Sequence, residues 1–290
     1  MMRAEVIGPA RDELTDGAGP RDLRPSSRAT RARRLGSVTA QQLSHTQPFT
    51  GAPPLTATLT RALTAVSVPI FAGAVRWWVA GTKGGIELRA ALSGTVPASV
   101  QRPTRVAAGS GLLAARLAVA VAGYRPFTTV LPDHRRPGLL AVLRLGALGE
   151  PTPTERALFG ALVRPAAAPA RMAAAAAVPL LRRAVDTEGA WLRSSLDPAD
   201  RARMEAMLAE VGGDASPDAQ LLVVGSHHDL PAADLRAGLA VRRLLLCAAA
   251  FGLVGDVLAG PRELARRRRE LPGAGPGLIP QVLLQVGPAG

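Results

Sequence analysis

Apolar and polar positions follow strand-like and helix-like periods along most of the chain, most clearly in its C-terminal third. An unbroken apolar run at residues 221–225 predicts a buried strand. Residues 234–251 have a helical pattern that ends at Gly252, and a second apolar run at 281–287 predicts a closing strand. This third therefore predicts the order strand, helix, strand.

Glycine, proline and short polar clusters divide the rest of the chain, from residue 38 onward, into shorter elements. Thr154 and Asp197 are the predicted N-caps of two of the helices. The predicted elements are a helix at 57–65, a hairpin of 73–80 with 86–90, a helix at 110–122, a strand at 126–131, helices at 138–145, 154–163 and 178–187, a strand at 190–194 and a helix at 198–211.

The chain also repeats itself. A shift of 129 residues places Gly109 on Gly238 and Gly123 on Gly252, and each copy has a glycine, a helix, a second glycine and then an extended stretch. Self-similarity at a fixed shift is the signature of duplicated units. The pattern predicts two related halves in which the equivalent helices pack against each other.

Charge adds an expectation about ligands. The 290 residues have 35 Lys and Arg against 22 Asp and Glu, a formal net charge of +13, and Lys83 is the one lysine. Such a chain attracts phosphates and other anions. The run of arginines at 266–269 has no aromatic residue nearby to stack on bases, so it predicts a solvated or anion-facing surface rather than a specific nucleic-acid site.

Several kinds of chemistry are disfavoured. The single Cys247 excludes an internal disulfide and a cysteine-cluster metal site, and it is expected to be a buried, inert thiol. Residues 227–229, His-His-Asp, predict a solvated turn, because no third spaced ligand accompanies the histidines. A hydrolase triad or carboxylate pair is missing, and Glu87, Asp186 and Glu188 are expected to be surface charges. Without a long uncharged apolar run or a signal-type N-terminus, we expect a cytoplasmic protein with no membrane partner.

Short motifs in a fixed order carry a resemblance to a known family. Residues 46–49, Thr-Gln-Pro-Phe, are similar to its "N-T-Q-P-W" element, and residues 109–133 match a helix and strand that end in "L-P-D". The segments 153–158, 188–190, 197–210 and the C-terminal third follow in the same order. On these residues the chain resembles the Acg family of nitroreductase-like FMN-binding oxidoreductases.

The resemblance implies an α+β fold of nitroreductase type, with two fused, pseudo-repeated halves that each have a small sheet flanked by helices. The implied divisions are a disordered basic tail at 1–36, a first half at 37–150 and a second half at 151–290. It also implies an FMN-dependent NAD(P)H oxidoreductase with a small-molecule electron acceptor, either a monomer or a homodimer. The cofactor-binding positions that it implies are His45, Thr46, Gln47, Arg164, Arg171, Gly252 and Leu253.

Three departures from the family pattern leave a second function open. The family's arginine-rich phosphate motif is reduced here to Arg164, with Arg171 as a substitute, and His45 stands at the family's asparagine position. The long segment that covers the flavin is replaced by residues 211–220. The alternative is a diverged, non-catalytic relative that binds or stores flavin weakly, or that acts through protein interaction.

Overall fold

The computed structural model describes residues 53–65, 71, 74–83, 85–164 and 170–288. Their fold is α+β, with two small antiparallel sheets and six α-helices among the described residues. The elements are α1 (Pro53–Thr64), β1 (Trp77–Thr82), β2 (Gly85–Ala90), α2 (Ala98–Val121), β3 (Tyr124–Val130), β4 (Leu139–Leu148), α3 (Pro153–Val163), α4 (Ala174–Asp186), β5 (Ala190–Ser194), α5 (Pro198–Glu210), β6 (Gln220–Ser226), α6 (Pro231–Ala250), β7 (Val254–Ala259) and β8 (Ile279–Gly287).

The two sheets have the same strand order. The first sheet is ordered β1-β2-β4-β3 and the second β5-β6-β8-β7, and every paired neighbour is antiparallel. In each sheet a long helix, α2 or α6, joins the second strand to the third. The chain thus uses one strand–strand–helix–strand–strand arrangement twice, with α5 added between the first two strands of the second sheet.

Helices α2 and α6 cross at two glycines, which are the positions equated by the 129-residue shift. A Cβ on Gly109 would clash with the Leu235 carbonyl oxygen and lie 3.0 Å from the Gly238 Cα. A Cβ on Gly238 would clash with the Val106 carbonyl oxygen and lie 2.9 Å from the Gly109 Cα. Glycine is required on both sides because each helix backbone approaches the other directly.

The two long helices also end in the same way. Gly123 follows α2 with φ 88° and Gly252 follows α6 with φ 76°, a left-handed conformation that costs glycine little. The Gly123 N–H donates to the Ala120 carbonyl at 3.0 Å, and the Gly252 N–H donates to Ala249 at 3.0 Å. Each glycine turns the chain into the next strand, so the shift of 129 residues holds for both helix ends.

Apolar side chains form a core on each side of this crossing. The first core lies between the first sheet and α2, and it includes Leu158 and Leu162 of α3, which follow residue 150. The second core lies between the second sheet, α4 and α6. Leu222 and Val224 of β6 face this second core, while Leu221 and Val223 face a third cluster with α5. Burial on both faces explains the unbroken apolar run of β6.

Three predicted details are wrong. Residues 138–145, predicted as a helix, lie in β4, which pairs with β2 on one side and β3 on the other. Strand pairing outweighs the helical propensity of its Leu and Ala residues. Helix α2 begins at Ala98 rather than at residue 110, and Pro103 lies inside it. Helix α3 is capped by Thr152, whose hydroxyl accepts the Glu155 N–H at 3.1 Å, rather than by Thr154.

Among the described residues, α2 alone is long and apolar enough to cross a membrane by length and composition. Most of its apolar stretch is buried between its neighbours, and α6 and the first sheet pack against it. This burial makes α2 a helix of the protein core.

Candidate functional site

An open cleft of about 900 Å³ lies beside the start of α2. The loop after β6 and the connection between β7 and β8 form its other walls. We call it the arginine cleft, because six arginines and one aspartate carry all the formal charge of its lining. These charged residues are Arg102, Arg105, Arg262, Arg266, Arg268, Arg269 and Asp229.

Two connections distinguish the second half from the first: α5 lies between β5 and β6, and the connection between the last two strands is longer. Residues 131–138, eight in all, join β3 to β4, whereas residues 260–278, nineteen in all, join β7 to β8. The longer connection contains two short 3-10 helices, Glu263–Arg266 and Arg268–Glu270. Leu264 and Leu271 are buried in the third cluster and anchor it. The connection is therefore folded against the protein and carries four of the six cleft arginines.

Two arginines of α2 are paired with carboxylates at the inner end of the cleft. The Arg105 Nε donates to Asp234 at 2.9 Å, and the Arg102 guanidinium contacts Asp229 and lies 3.5 Å from Asp234. Gln281 donates to Asp234 at 3.0 Å. Burial raises the pKa of Asp234, and the charges of Arg105 and Arg102 oppose that rise. This network orients the two guanidinium groups from one side.

Arg268 reaches the same inner region from the opposite wall. Burial is the main cause that lowers the pKa of Arg268, and the charge of Arg102 lowers it further. The carboxylates of Asp229 and Asp234 act in the opposite direction and raise it. Its buried Nε has no hydrogen-bond partner in the described part of the chain. Two like charges and an unsatisfied donor therefore meet where an anion would be stabilised.

Three further arginines, Arg262, Arg266 and Arg269, line the cleft and are exposed. We call them the outer arginines. None of them forms an ion pair with a carboxylate within the described ranges. Arg267, in the same run, is paired instead with Glu270 at 2.8 Å and Glu210 at 3.2 Å and does not line the cleft.

The remaining lining is largely apolar. Four prolines take part, together with Leu278 and Ile279 from the residues that lead into β8; the prolines are Pro103, Pro261, Pro276 and Pro280. No His, Cys, Tyr or Glu lines the cleft among the residues that the structure describes. Apolar side chains beside several guanidinium groups suit an organic anion that also has an apolar part.

The positions implied by the family resemblance lie elsewhere or are not described. His45, Thr46 and Gln47 fall outside the described residues. The exposed Arg164 follows α3 as its C-cap. None of Arg164, Arg171, Gly252 and Leu253 lines the arginine cleft.

Three of these positions are close to one another. The exposed Arg171 donates its backbone N–H to the Phe251 carbonyl at 2.8 Å, which places it beside the buried Gly252 and Leu253. The cofactor roles of all seven positions stay predictions.

Other charged residues differ from their predicted settings. Glu188 was expected at the surface, but it is buried and bridges Arg116 at 2.8 Å and Arg243 at 2.6 Å. Glu87, also expected without a partner, accepts a hydrogen bond from Arg89 at 2.7 Å. Arg116 and Arg243 are distant from Glu188 in sequence, whereas Arg89 lies two residues from Glu87 on the same face of β2.

The turn after β6 is exposed at His227, His228 and Asp229, as predicted. The structure adds a role for Asp229, whose carboxylate meets Arg102 across 127 residues of sequence. No group of three His, Cys, Asp or Glu side chains in the described part of the chain could hold a metal ion.

Comparisons with known proteins give no assignment. Neither the models of known protein families nor the curated protein sequences include a match to this chain. The functional argument therefore rests on the cleft and its chemistry.

Proposed function

We propose that the chain is an FMN-dependent NAD(P)H oxidoreductase of nitroreductase type, with the arginine cleft as its cofactor site. In this proposal it acts in the cytoplasm on a small-molecule electron acceptor and has no specific nucleic-acid or membrane partner. The matching strand orders and the glycine crossing support two nitroreductase-like halves. Because both halves lie in one chain, a monomer is sufficient, and a homodimer is the other expected state.

The observation that carries the proposal is the unsatisfied Nε of Arg268 beside Arg102. A phosphate monoester needs several charge-assisted donors, and arginine is the side chain that supplies two at once. Arg102 is already oriented by Asp229 and Asp234. These two arginines would hold the FMN phosphate.

The size and apolar wall of the cleft also suit this cofactor. Its volume of about 900 Å³ lies within the range of about 300–1,000 Å³ that is usual for small-molecule sites. Pro261, Leu278 and Ile279 would lie against the ring system. FMN supplies the hydride-transfer chemistry when bound, so the protein needs no catalytic acid or base in the lining.

The test is FMN titration of the full-length protein, with its fluorescence and visible absorbance recorded. We expect Arg268→Gln to weaken binding about tenfold or more, since a hydrogen bond to a charged group contributes about 1.5–3 kcal/mol. Arg267→Gln is the matched control, because Arg267 lies in the same run but outside the cleft. Absence of FMN binding by the unmodified protein would refute the proposal.

The second candidate is a non-catalytic relative that binds or stores flavin, or that acts through protein interaction. The observation that favours it is that Arg164 and Arg171 do not line the cleft, so the phosphate contacts of the family are not reproduced at those positions. The two functions separate in one assay. FMN binding with NADH or NADPH oxidation supports the enzyme, and FMN binding without oxidation of either supports storage.

A further inference from the structure

We propose that the outer arginines, Arg262, Arg266 and Arg269, form a second anion site that makes the cleft selective for NADPH over NADH. This inference rests on the proposed function for the presence of a nicotinamide substrate. The ligand group that it assigns to the outer arginines is the 2′-phosphate, which NADPH has and NADH lacks.

Five of the six cleft arginines divide into two groups by their ion-pair partners, and the sixth, Arg268, belongs with the first group because it lies near Arg102. Arg102 and Arg105 are paired with Asp229 and Asp234 at the inner end. The outer arginines have no carboxylate partner among the described residues, and all three are exposed. One phosphate at the inner end would leave three cations uncompensated at the outer part of the cleft.

The outer arginines are also held in place. They belong to the connection between β7 and β8, which is anchored by the buried Leu264 and Leu271. The Glu263 carboxylate accepts the Gly260 N–H at 3.0 Å and fixes the start of this connection. Three like charges held within nine residues repel one another, and a dianion relieves that repulsion.

A phosphate monoester is the anion that fits this pattern. Its second pKa is about 6, so it is a dianion at neutral pH. Arginine is the residue that accommodates the 2′-phosphate of NADP in other dinucleotide sites. NADH presents only two hydroxyl groups on the same ribose, and these cannot compensate three cations.

The test uses NADP⁺ and NAD⁺ as probes, titrated by calorimetry into the full-length protein in low-salt buffer. We expect NADP⁺ to bind about tenfold or more tightly than NAD⁺. The triple variant Arg262→Gln, Arg266→Gln, Arg269→Gln should bring the two affinities together by weakening NADP⁺ far more than NAD⁺. The FMN affinity should fall by a clearly smaller factor than the NADP⁺ affinity in this variant.

Two controls make the result specific. Arg267→Gln removes one positive charge from the same run outside the cleft and should keep the preference for NADP⁺. The affinity for NADP⁺, but not for NAD⁺, should rise as pH increases through about 6. Circular dichroism checks the fold of the triple variant, which loses no ion pair between described residues.

Equal affinities in the unmodified protein would overturn the inference, and so would a preference that survives in the triple variant. Equal weakening of both nucleotides would also overturn it, because it would indicate general charge attraction. The proposed function is tested by a different result. A protein that prefers NADP⁺ but binds no FMN would refute the flavoenzyme proposal and would still support the anion site at the outer arginines.

Discussion

The substitution Gly109→Ala should weaken the crossing of α2 and α6 on which both cores depend. The added methyl would clash with the Leu235 carbonyl oxygen and lie 3.0 Å from the Gly238 Cα. Carbon atoms in ordinary contact are about 3.5–4.0 Å apart. Both obstructing atoms belong to the backbone, so no side-chain rotation relieves the contact and the helices must separate.

The expected magnitude combines two opposing effects. Overpacking of a well-packed core costs about 1–3 kcal/mol, and a rigid backbone contact belongs at the upper end of that range. Alanine gains about 1 kcal/mol over glycine from its helix propensity. The net loss in the free energy of unfolding is therefore about 2 kcal/mol, which lowers Tm by roughly 3–4 °C in a chain of this size.

Gly160→Ala in α3 is the matched control, because no atom lies within 4 Å of the added methyl. The free energy of unfolding of this variant should rise by about 1 kcal/mol, because alanine has a higher helix propensity than glycine. Urea unfolding followed by far-UV circular dichroism should thus separate the two variants by about 3 kcal/mol. A Gly109→Ala protein that is as stable as the unmodified one would refute the close approach of the helices.

Three further measurements test other parts of the structure. Glu188→Gln should cost on the order of 3 kcal/mol in urea unfolding, because it leaves two arginines without their buried carboxylate. Thr152→Ala should cost about 1 kcal/mol while Thr154→Ala costs far less, since Thr152 forms the capping box. Cys247, predicted to be buried, is half-buried, but desolvation still raises the pKa of its thiol, so this thiol should react with iodoacetamide more slowly in the folded than in the unfolded protein at pH 8.5. The unfolded thiol ionises near that pH and the folded one does not, so stability should fall as pH rises above about 8.5, and less so in Cys247→Ala.

Elements whose apolar pattern fits only one type of secondary structure were predictable from the sequence. The run 221–225 is buried on both faces of its sheet, which an apolar run without alternation indicates. Residues 139–148 are different, because Leu, Ala and Val in that order suit a helix or a strand equally well. Only pairing with β2 and β3, made by residues up to 57 positions away, decides for a strand.

The cleft was predictable only in part. The run 266–269 was expected to be solvated or to face an anion, and three of its arginines do line the cleft. Arg102 and Asp229 gave no local signal, because they are 127 residues apart and meet only where α2 and α6 come together. Conversely, Glu188 was taken as a surface charge since its arginine partners lie 55 and 72 residues away.

The duplicated framework and the cleft depend on different parts of the chain. The halves share their strand order, their helix ends and their crossing glycines. None of these shared features explains why the arginine cleft lies at the β7–β8 connection of the second half. Two connections differ: the one between the last two strands is eight residues long in the first half and nineteen in the second, and α5 lies between the first two strands of the second half alone. Four cleft arginines lie in the nineteen-residue connection. The 129-residue shift equates Arg105 with Asp234, and these two residues form an ion pair with each other. Stability should therefore follow the glycine crossing, while ligand choice should follow the residues between β7 and β8, and substitutions in the two regions should affect unfolding and binding independently.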